Sequence, residues 1–168
     1  MEQSISSLAA DFRFALRRLA KAVVIVTCRR EGIRFAMAAT AVSELSMAPP
    51  SMLVCVAKSA SIHEPIGGAG RFAINILHHR HRTISENCAG LVKGEARFDT
   101  GDWASDADGV PFLRDAQATI FCAVDRVVDY GTHGVFFGVV TSSLTIGSVE
   151  PLIYVDGRYL ALSGSADL

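Results

Sequence analysis

The pattern of apolar and polar residues changes near residue 21. Before it, Leu8, Phe12, Leu16 and Leu19 recur at a spacing of three to four residues, which predicts an amphipathic helix over 8–20. After it, runs of β-branched and apolar residues predict strands instead. The predicted strands cover residues 22–28, 33–41, 52–57, 71–77, 118–128, 134–144 and 152–162, the last of these interrupted at 156–157.

Short connections join most of these strands, and helices do not alternate with them. Residues 130–133 predict the turn of a hairpin between the two longest strands, and residues 98–110 are predicted to form a loop. Short helices are predicted at 61–66 and 81–89. Because regular alternation of strands and helices is missing, a doubly wound parallel sheet is disfavoured. We expect a mainly β protein with peripheral helices, whose antiparallel sheet closes into a barrel.

Length and composition predict one domain over residues 1–168. Half of the residues are hydrophobic, and the mean hydropathy of +0.32 is high for a monomer. No apolar run approaches the roughly 18 residues of a membrane span, so we attribute the excess to a surface shared between subunits. The net charge of −1 disfavours a nucleic-acid partner, which a basic patch would indicate.

The cytoplasm is the expected location. Charged residues such as Asp11, Arg13 and Arg17 interrupt the first apolar segment, unlike the core of a signal peptide. Four cysteines occur, but no two have the Cys-x-x-Cys spacing of a zinc or redox site. We therefore expect free thiols and no disulfide.

Common catalytic and metal-binding motifs are absent. Residues 67–70 contain three glycines but lack the spacing of a dinucleotide-binding loop, and no Gly-x-Ser-x-Gly nucleophile elbow occurs. His78, His79 and His81 are capable of holding a metal, but no carboxylate or cysteine follows them at a matching spacing. We therefore predict no metal site and interpret residues 78–82 as a solvated loop or helix start.

Three polar segments next to apolar strands are the candidate site. The first has small residues that let a flat ligand approach the backbone closely, and its candidates are Met37, Ala38, Thr40, Ala41, Val42 and Ser43. The second combines a cation with hydroxyl groups, which suits a phosphate, and its candidates are Val56, Ala57, Lys58, Ser59 and Ser61. The third is the hairpin turn, where His133 can form a hydrogen bond to a cofactor or substrate.

In their order along the chain, these segments resemble the short-chain flavin reductase family, the reductase components of two-component flavin monooxygenases. The resemblance spans roughly residues 10–160. The matching segments are Met37-Ala-Ala-Thr-Ala-Val42, Pro49-Pro-Ser-Met-Leu-Val-Cys-Val56, Lys58-Ser59, Arg71-Phe-Ala-Ile-Asn-Ile-Leu77, Cys88-Ala-Gly90, Arg97-Phe98, Gly131-Thr-His133, Pro151-Leu-Ile-Tyr154 and Gly157-Arg-Tyr159.

The resemblance implies a split β-barrel that forms a homodimer with flavin at the subunit interface. It implies that residues 37–43 cradle the isoalloxazine ring and that residues 56–61 hold the ribityl phosphate. Arg97 and Phe98 would close over the flavin, and His133 would lie near the nicotinamide. Ala38 stands where the family usually has threonine, so one hydrogen bond to the flavin is expected to be missing.

The activity implied is reduction of FMN or FAD by NADH or NADPH, with the reduced flavin passing to a separate oxygenase. The sequence does not decide between the two flavins or between the two nicotinamides. A non-catalytic flavin- or haem-binding barrel, used for storage or sensing, is an alternative with a very similar sequence. An enzyme resembling pyridoxamine-phosphate oxidase, on a related barrel, is a third.

Overall fold

A computed structural model describes residues 5–162, and most of them lie in strands. The helices are α1 (Ile5–Leu16), α2 (His63–Ala69) and α3 (Arg82–Glu86). The strands are β1 (Lys21–Ala22), β2 (Val24–Arg30), β3 (Ile33–Ala39), β4 (Val42–Met47), β5 (Pro50–Ala57), β6 (Arg71–Ile76), β7 (Trp103–Ser105), β8 (Pro111–Leu113), β9 (Ala118–Tyr130), β10 (His133–Thr145), β11 (Leu152–Val155) and β12 (Arg158–Ala161).

Seven of these strands form one antiparallel sheet in the order β3-β2-β6-β9-β10-β5-β4. The sheet curves around its largest hydrophobic cluster, because strands from both of its halves contribute to that cluster. Val26 of β2, Val54 of β5 and Phe136 of β10 belong to this cluster, and Ile62 and Ile66 beside and within α2 complete it. This arrangement confirms the predicted mainly β fold with peripheral helices.

The buried β2 shows why the apolar runs become central strands. Residues 24–28 are all buried, including Thr27, because β2 has a strand on either side and core clusters on both faces. The amide of Asn75 on β6 donates to the carbonyl of Ile25 at 3.0 Å, which satisfies one of the few buried polar groups. The continuous apolar run of β2 therefore indicates a strand that is covered on both faces.

The structure corrects several predicted boundaries. The first helix ends at Leu16 instead of residue 20, and the predicted helix over 81–89 is a 3₁₀ turn, the short α3 and a π-helical turn over Asn87–Leu91. Within the predicted loop 98–110 the chain forms β7. The edge strand β4 was not predicted, because its sequence Val-Ser-Glu-Leu-Ser-Met lacks the apolar run of a buried strand.

All four cysteines are free in the structure, as the sequence predicts. Burial raises the pKa of Cys28 and of Cys122 to about 12, so neither thiol ionises at neutral pH. None of the helices in residues 5–162 is long and apolar enough to cross a membrane.

Candidate ligand-binding site

A cavity of about 470 Å³ opens between the end of β3, the loop after β5 and the chain that follows α3. Its volume lies within the range of about 300–1,000 Å³ that is typical of small-molecule sites. No acidic side chain occurs among the described residues of its wall. These residues are Met37, Ala38, Ser59, Ala60, Ser61, Cys88, Ala89, Gly90, Lys93, Gly94 and Arg97.

The edge strand β3 presents backbone groups to this cavity. In the seven-stranded sheet β3 pairs only with β2, so its other edge has no strand partner. On that open edge, Arg97 Nη1 donates to the carbonyl of Ala36 at 2.6 Å. Alternate residues of a strand direct their backbone groups to the same edge, so the N–H and carbonyl of Ala38 also face the open side. A flat ligand beside Met37 and Ala38 would meet these backbone donors and acceptors.

The rest of the first predicted segment divides between the cavities and the sheet. Thr40 lines an adjoining cavity of about 190 Å³, to which Ala38 also contributes, so a groove continues past the end of β3. Ala41, Val42 and Ser43 line neither cavity among the described residues. Ala41 joins β3 to β4, and Val42 and Ser43 are the first residues of β4.

The second predicted segment divides at Lys58. Ser59 and Ser61 line the cavity and are exposed. The ammonium of Lys58 extends away from it and lies 3.2 Å from a carboxylate oxygen of Asp129. The structure therefore brings the two hydroxyl groups of this segment to the cavity but directs its cation to the hairpin formed by β9 and β10.

Arg97 crosses one side of the cavity and joins three parts of the chain. Its Nε donates to the carbonyl of Val92 at 2.8 Å, and its Nη1 donates to the carbonyl of Ala36 at 2.6 Å. The same Nη1 also donates to the hydroxyl of Ser61 at 3.3 Å. Two carbonyls thus hold the guanidinium beside Ser61, where its positive charge faces the cavity.

Phe98, the neighbour of Arg97, faces the protein interior. Its side chain is buried and packs edge-on against the ring of Trp103, with ring centroids 5.0 Å apart. The guanidinium of Arg34 lies 4.2 Å from its ring centroid. Phe98 therefore anchors the turn that carries Arg97 and does not line the cavity, unlike the covering role that the family resemblance implies.

Sequence reasoning missed the segment 88–94, which supplies almost half of the cavity wall. Gly90 has φ of 118° and Gly94 has φ of 60°, values that favour glycine over other residues. They bend the chain after the π-helical turn so that Lys93 reaches the cavity. The sequence signal was a lysine placed between two glycines, just beyond the predicted helix over 81–89.

His133 lies at the hairpin turn, beside the end of β5. It is paired with Ala57 in the sheet, and its Nδ1 lies 2.9 Å from the hydroxyl of Thr132. The imidazole is exposed and does not line the cavity. Val56, the residue before Ala57, is fully buried in the core, so its side chain is unavailable to a ligand.

A second histidine, which sequence reasoning did not select, supports this turn from below. His63 at the start of α2 packs edge-on against Phe136, with ring centroids 5.5 Å apart. Its buried Nε2 has no hydrogen-bond partner among the described residues. A Cβ at Gly134 would lie 2.6 Å from this nitrogen, so only glycine fits above the imidazole.

The chemistry of the cavity wall favours binding and orientation over covalent catalysis. Burial raises the pKa of the Cys88 thiol to about 11, although Arg97 acts in the opposite direction, so the thiol is protonated at neutral pH. The hydroxyls of Ser59 and Ser61 and the charges of Lys93 and Arg97 suit a phosphate group. Together with the open edge of β3, they fit a flat ring that carries a phosphorylated chain.

Comparison with known proteins gives the same picture. Residues 16–163 match the family model described as "Flavin reductase like domain". The chain is 35% identical over 155 residues to the "FADH(2)-dependent resorcinol hydroxylase, reductase component" of Rhizobium sp. (strain MTP-10005), covering 91% of this chain and 87% of that protein. It is also 35% identical over 157 residues to "FMN reductase (NADH) RutF" of Ancylobacter novellus, covering 94% and 87%.

Among solved structures, the chain resembles the "NADH:FAD oxidoreductase SgcE6" of Streptomyces globisporus C-1027, determined in complex with NAD and FAD fragments. The TM-score is 0.89 at 25% sequence identity, and the alignment covers 99% of this chain and 100% of that one. The alignment therefore extends over the whole barrel.

Proposed function

The chain belongs to the flavin reductase-like domain family, and we propose that it is an NAD(P)H:flavin oxidoreductase that supplies reduced FMN or FAD to a separate monooxygenase component. The observation that carries this function is the cavity beside β3. It combines an open backbone edge with two cations and two hydroxyl groups, and it contains no reactive nucleophile among its described residues.

Different residues of the cavity would bind the ring and the phosphate of the flavin. The backbone of Ala38 on the open edge of β3 would donate to and accept from the polar side of the isoalloxazine ring. Ser59, Ser61, Lys93 and Arg97 would hold the phosphate of the ribityl chain at the other end. Because Ala38 has no hydroxyl, the ring would be bound mainly through backbone groups.

The flavin supplies the chemistry when bound, by accepting a hydride from the reduced nicotinamide. The chain's own contribution is to hold the two rings against each other, which requires no protein nucleophile. Backbone N–H groups at the open edge of β3 would stabilise negative charge that develops on the ring. The polar wall residues fix the position of the phosphate and therefore of the ring that it carries.

His133 is assigned an orienting role at the nicotinamide. Its exposed imidazole stands at the start of β10, and its strand partner Ala57 lies two residues before Ser59 of the cavity wall. The contact between Nδ1 and Thr132 leaves Nε2 available for a hydrogen bond to a ligand. An obligatory acid is not required of His133, since protons on reduced flavin exchange with water.

The proposal includes a homodimer and a cytoplasmic location. Large apolar side chains are exposed on the single chain, among them Phe12 and Phe14 of α1, Met47 of β4 and Tyr130 of the hairpin. Such surfaces are typical of subunit contacts. The four free cysteines support a reducing compartment. Light scattering after size exclusion would test the dimer, and a monomeric mass would contradict it.

The decisive experiment is NADH oxidation at a catalytic protein concentration, with FMN and then FAD in excess and NADPH as the alternative donor. Many turnovers per protein are expected, with one flavin and one nicotinamide preferred. A protein that becomes yellow with flavin but consumes no nicotinamide would replace this proposal with storage or sensing. Oxidation of pyridoxamine phosphate without flavin reduction would replace it with a vitamin B6 oxidase.

A further inference from the structure

Two histidines and a carboxylate that are far apart in the sequence meet on the side of the barrel. His78 and His79 follow β6, and Glu150 belongs to the loop between β10 and β11. The backbone N–H of His79 donates to the carbonyl of Glu150 at 2.9 Å, so the two segments are already joined. One ligand atom from each of the three side chains lies within 4.8 Å of the other two.

The spacing of these atoms fits a metal ion better than it fits hydrogen bonds. Glu150 Oε2 lies 3.5 Å from His78 Nε2 and 3.4 Å from His79 Nδ1. Both distances exceed those of ordinary hydrogen bonds. A tetrahedral zinc ion with bonds of about 2.0–2.1 Å holds its ligand atoms about 3.4 Å apart. The two distances to Glu150 therefore match the edge lengths of such a site, and the two imidazole nitrogens lie within 4.8 Å of each other.

We propose that His78 Nε2, His79 Nδ1 and a Glu150 carboxylate oxygen bind one divalent transition-metal ion, with water as the remaining ligand. Two imidazoles and one carboxylate suit Zn²⁺ and its neighbours rather than Mg²⁺ or Ca²⁺, which prefer oxygen ligands. The sequence pattern did not predict this site because Glu150 lies 71 residues after His79 in the chain (150 − 79).

One existing hydrogen bond competes with the ion. The N–H of Arg80 donates to His78 Nδ1 at 3.2 Å, which places the ring proton of a neutral imidazole on Nε2. An ion on Nε2 moves that proton to Nδ1, so this bond is lost on binding. A neutral N···N contact at the long end of its range is weak compared with three metal–ligand bonds.

The ion would fasten two loops and take no part in flavin reduction. None of the three residues lines the 470 Å³ cavity. Gln117 already links the same loops. Its side-chain amide donates to the carbonyl of Leu77 at 2.8 Å, and its backbone carbonyl accepts from the N–H of Ile146 at 2.8 Å. Binding of the ion is therefore expected to raise the melting temperature without being required for activity.

The test uses the full chain without an affinity tag, treated with chelator and titrated with Zn²⁺ and, separately, with Co²⁺. We expect one tightly bound equivalent per chain, a Co²⁺ absorption spectrum typical of tetrahedral coordination, and a higher melting temperature. His79→Ala and Glu150→Gln should each weaken binding at least about 10-fold. Glu31→Gln, an exposed carboxylate outside the cluster, is the matched control and should bind as the parent does.

Equal affinity in the parent and in His79→Ala, or a Co²⁺ spectrum without a tetrahedral signature, would overturn the site. Because His79 is exposed, His79→Ala is expected to fold, and circular dichroism checks this. Zn²⁺ bound elsewhere would appear as equivalents that neither variant removes. Metal binding and NADH oxidation are measured separately, so failure of this site does not affect the proposed reductase function.

Discussion

The cavity and the hairpin turn beside it meet at the consecutive residues Lys58 and Ser59, yet the cations of the two regions are held differently. Lys58 is paired with Asp129 at 3.2 Å, and both side chains are largely exposed. Arg97 is held instead by two backbone carbonyls, which are neutral and leave its charge uncompensated beside Ser61. A cation whose charge is already paired makes a poor anion site, whereas one fixed by carbonyls is ready for an anion.

Because its charge is not paired with a carboxylate among the described residues, Arg97 is expected to have the largest effect on FMN binding. Arg97→Ala removes three hydrogen bonds from a charged donor and one of the cavity's two cations. Hydrogen bonds to charged groups contribute about 1.5–3 kcal/mol, so we expect the dissociation constant of FMN to rise about 10–100-fold. Quenching of flavin fluorescence measures it directly.

Arg114 provides a control for this substitution, since it is an exposed arginine paired with Asp102 and does not line the cavity. Arg114→Ala should leave the dissociation constant of FMN unchanged. If both variants bind FMN as the parent does, the anion site is not at Arg97. Urea unfolding of Arg97→Ala separates a loss of binding from a loss of structure.

On the hairpin side, the largest effect is expected at Gly134. A Cβ there would lie 2.6 Å from His63 Nε2 and 3.1 Å from Phe136, so Gly134→Ala overpacks the support of the turn. Overpacking costs about 1–3 kcal/mol, which urea unfolding would report. The double variant with His63→Ala should recover most of this loss. A double variant as unstable as Gly134→Ala would show that His63 is not the obstacle.

The sequence predicts the barrel well because its signals are local. Buried strands such as β2 need continuous apolar residues, and the Gly131-Thr132 turn fixes the long hairpin. The edge strand β4 was not predicted, because a strand at an exposed edge does not need an apolar run. Boundaries in residues 81–91 failed because the π-helical turn there depends on packing, which no periodicity encodes.

The site was predicted less completely, because side-chain direction depends on tertiary contacts. Ser59 and Ser61 line the cavity, while Lys58, which lies between them and β5, turns to Asp129, a partner 71 residues away (129 − 58). Lys93 was missed because it lies between the predicted helix over 81–89 and the predicted loop over 98–110, where no element or site was predicted. Sequence reasoning thus selected a segment whose two hydroxyl groups line the cavity, but it did not select the cations that lie beside them.

A smaller effect, confined to one substrate, is expected at His133. His133→Ala should raise the KM for the nicotinamide about 3–10-fold, since a neutral hydrogen bond contributes about 1 kcal/mol, and should change flavin binding less. Thr132→Val removes only the contact with Nδ1 and should have a weaker effect of the same kind. Steady-state kinetics with each substrate varied in turn measures both. Equal changes for the two substrates would contradict an orienting role at the nicotinamide.

Lys93 and Lys58 allow the most direct comparison of the cavity with the hairpin, and their substitutions are expected to have the smallest effects on FMN binding. Lys93→Ala removes a positive charge from the cavity wall and should weaken FMN binding several-fold. The loss should be larger at low salt, because salt screens the attraction between the ammonium and an anion. Lys58→Ala breaks an exposed ion pair, which is worth about 0–1 kcal/mol, and should change FMN binding less. Titrations of both variants at two ionic strengths measure the difference. If Lys58→Ala has the larger effect, the ammonium leaves Asp129 when flavin binds, and the cation predicted from the sequence is the one that holds the phosphate.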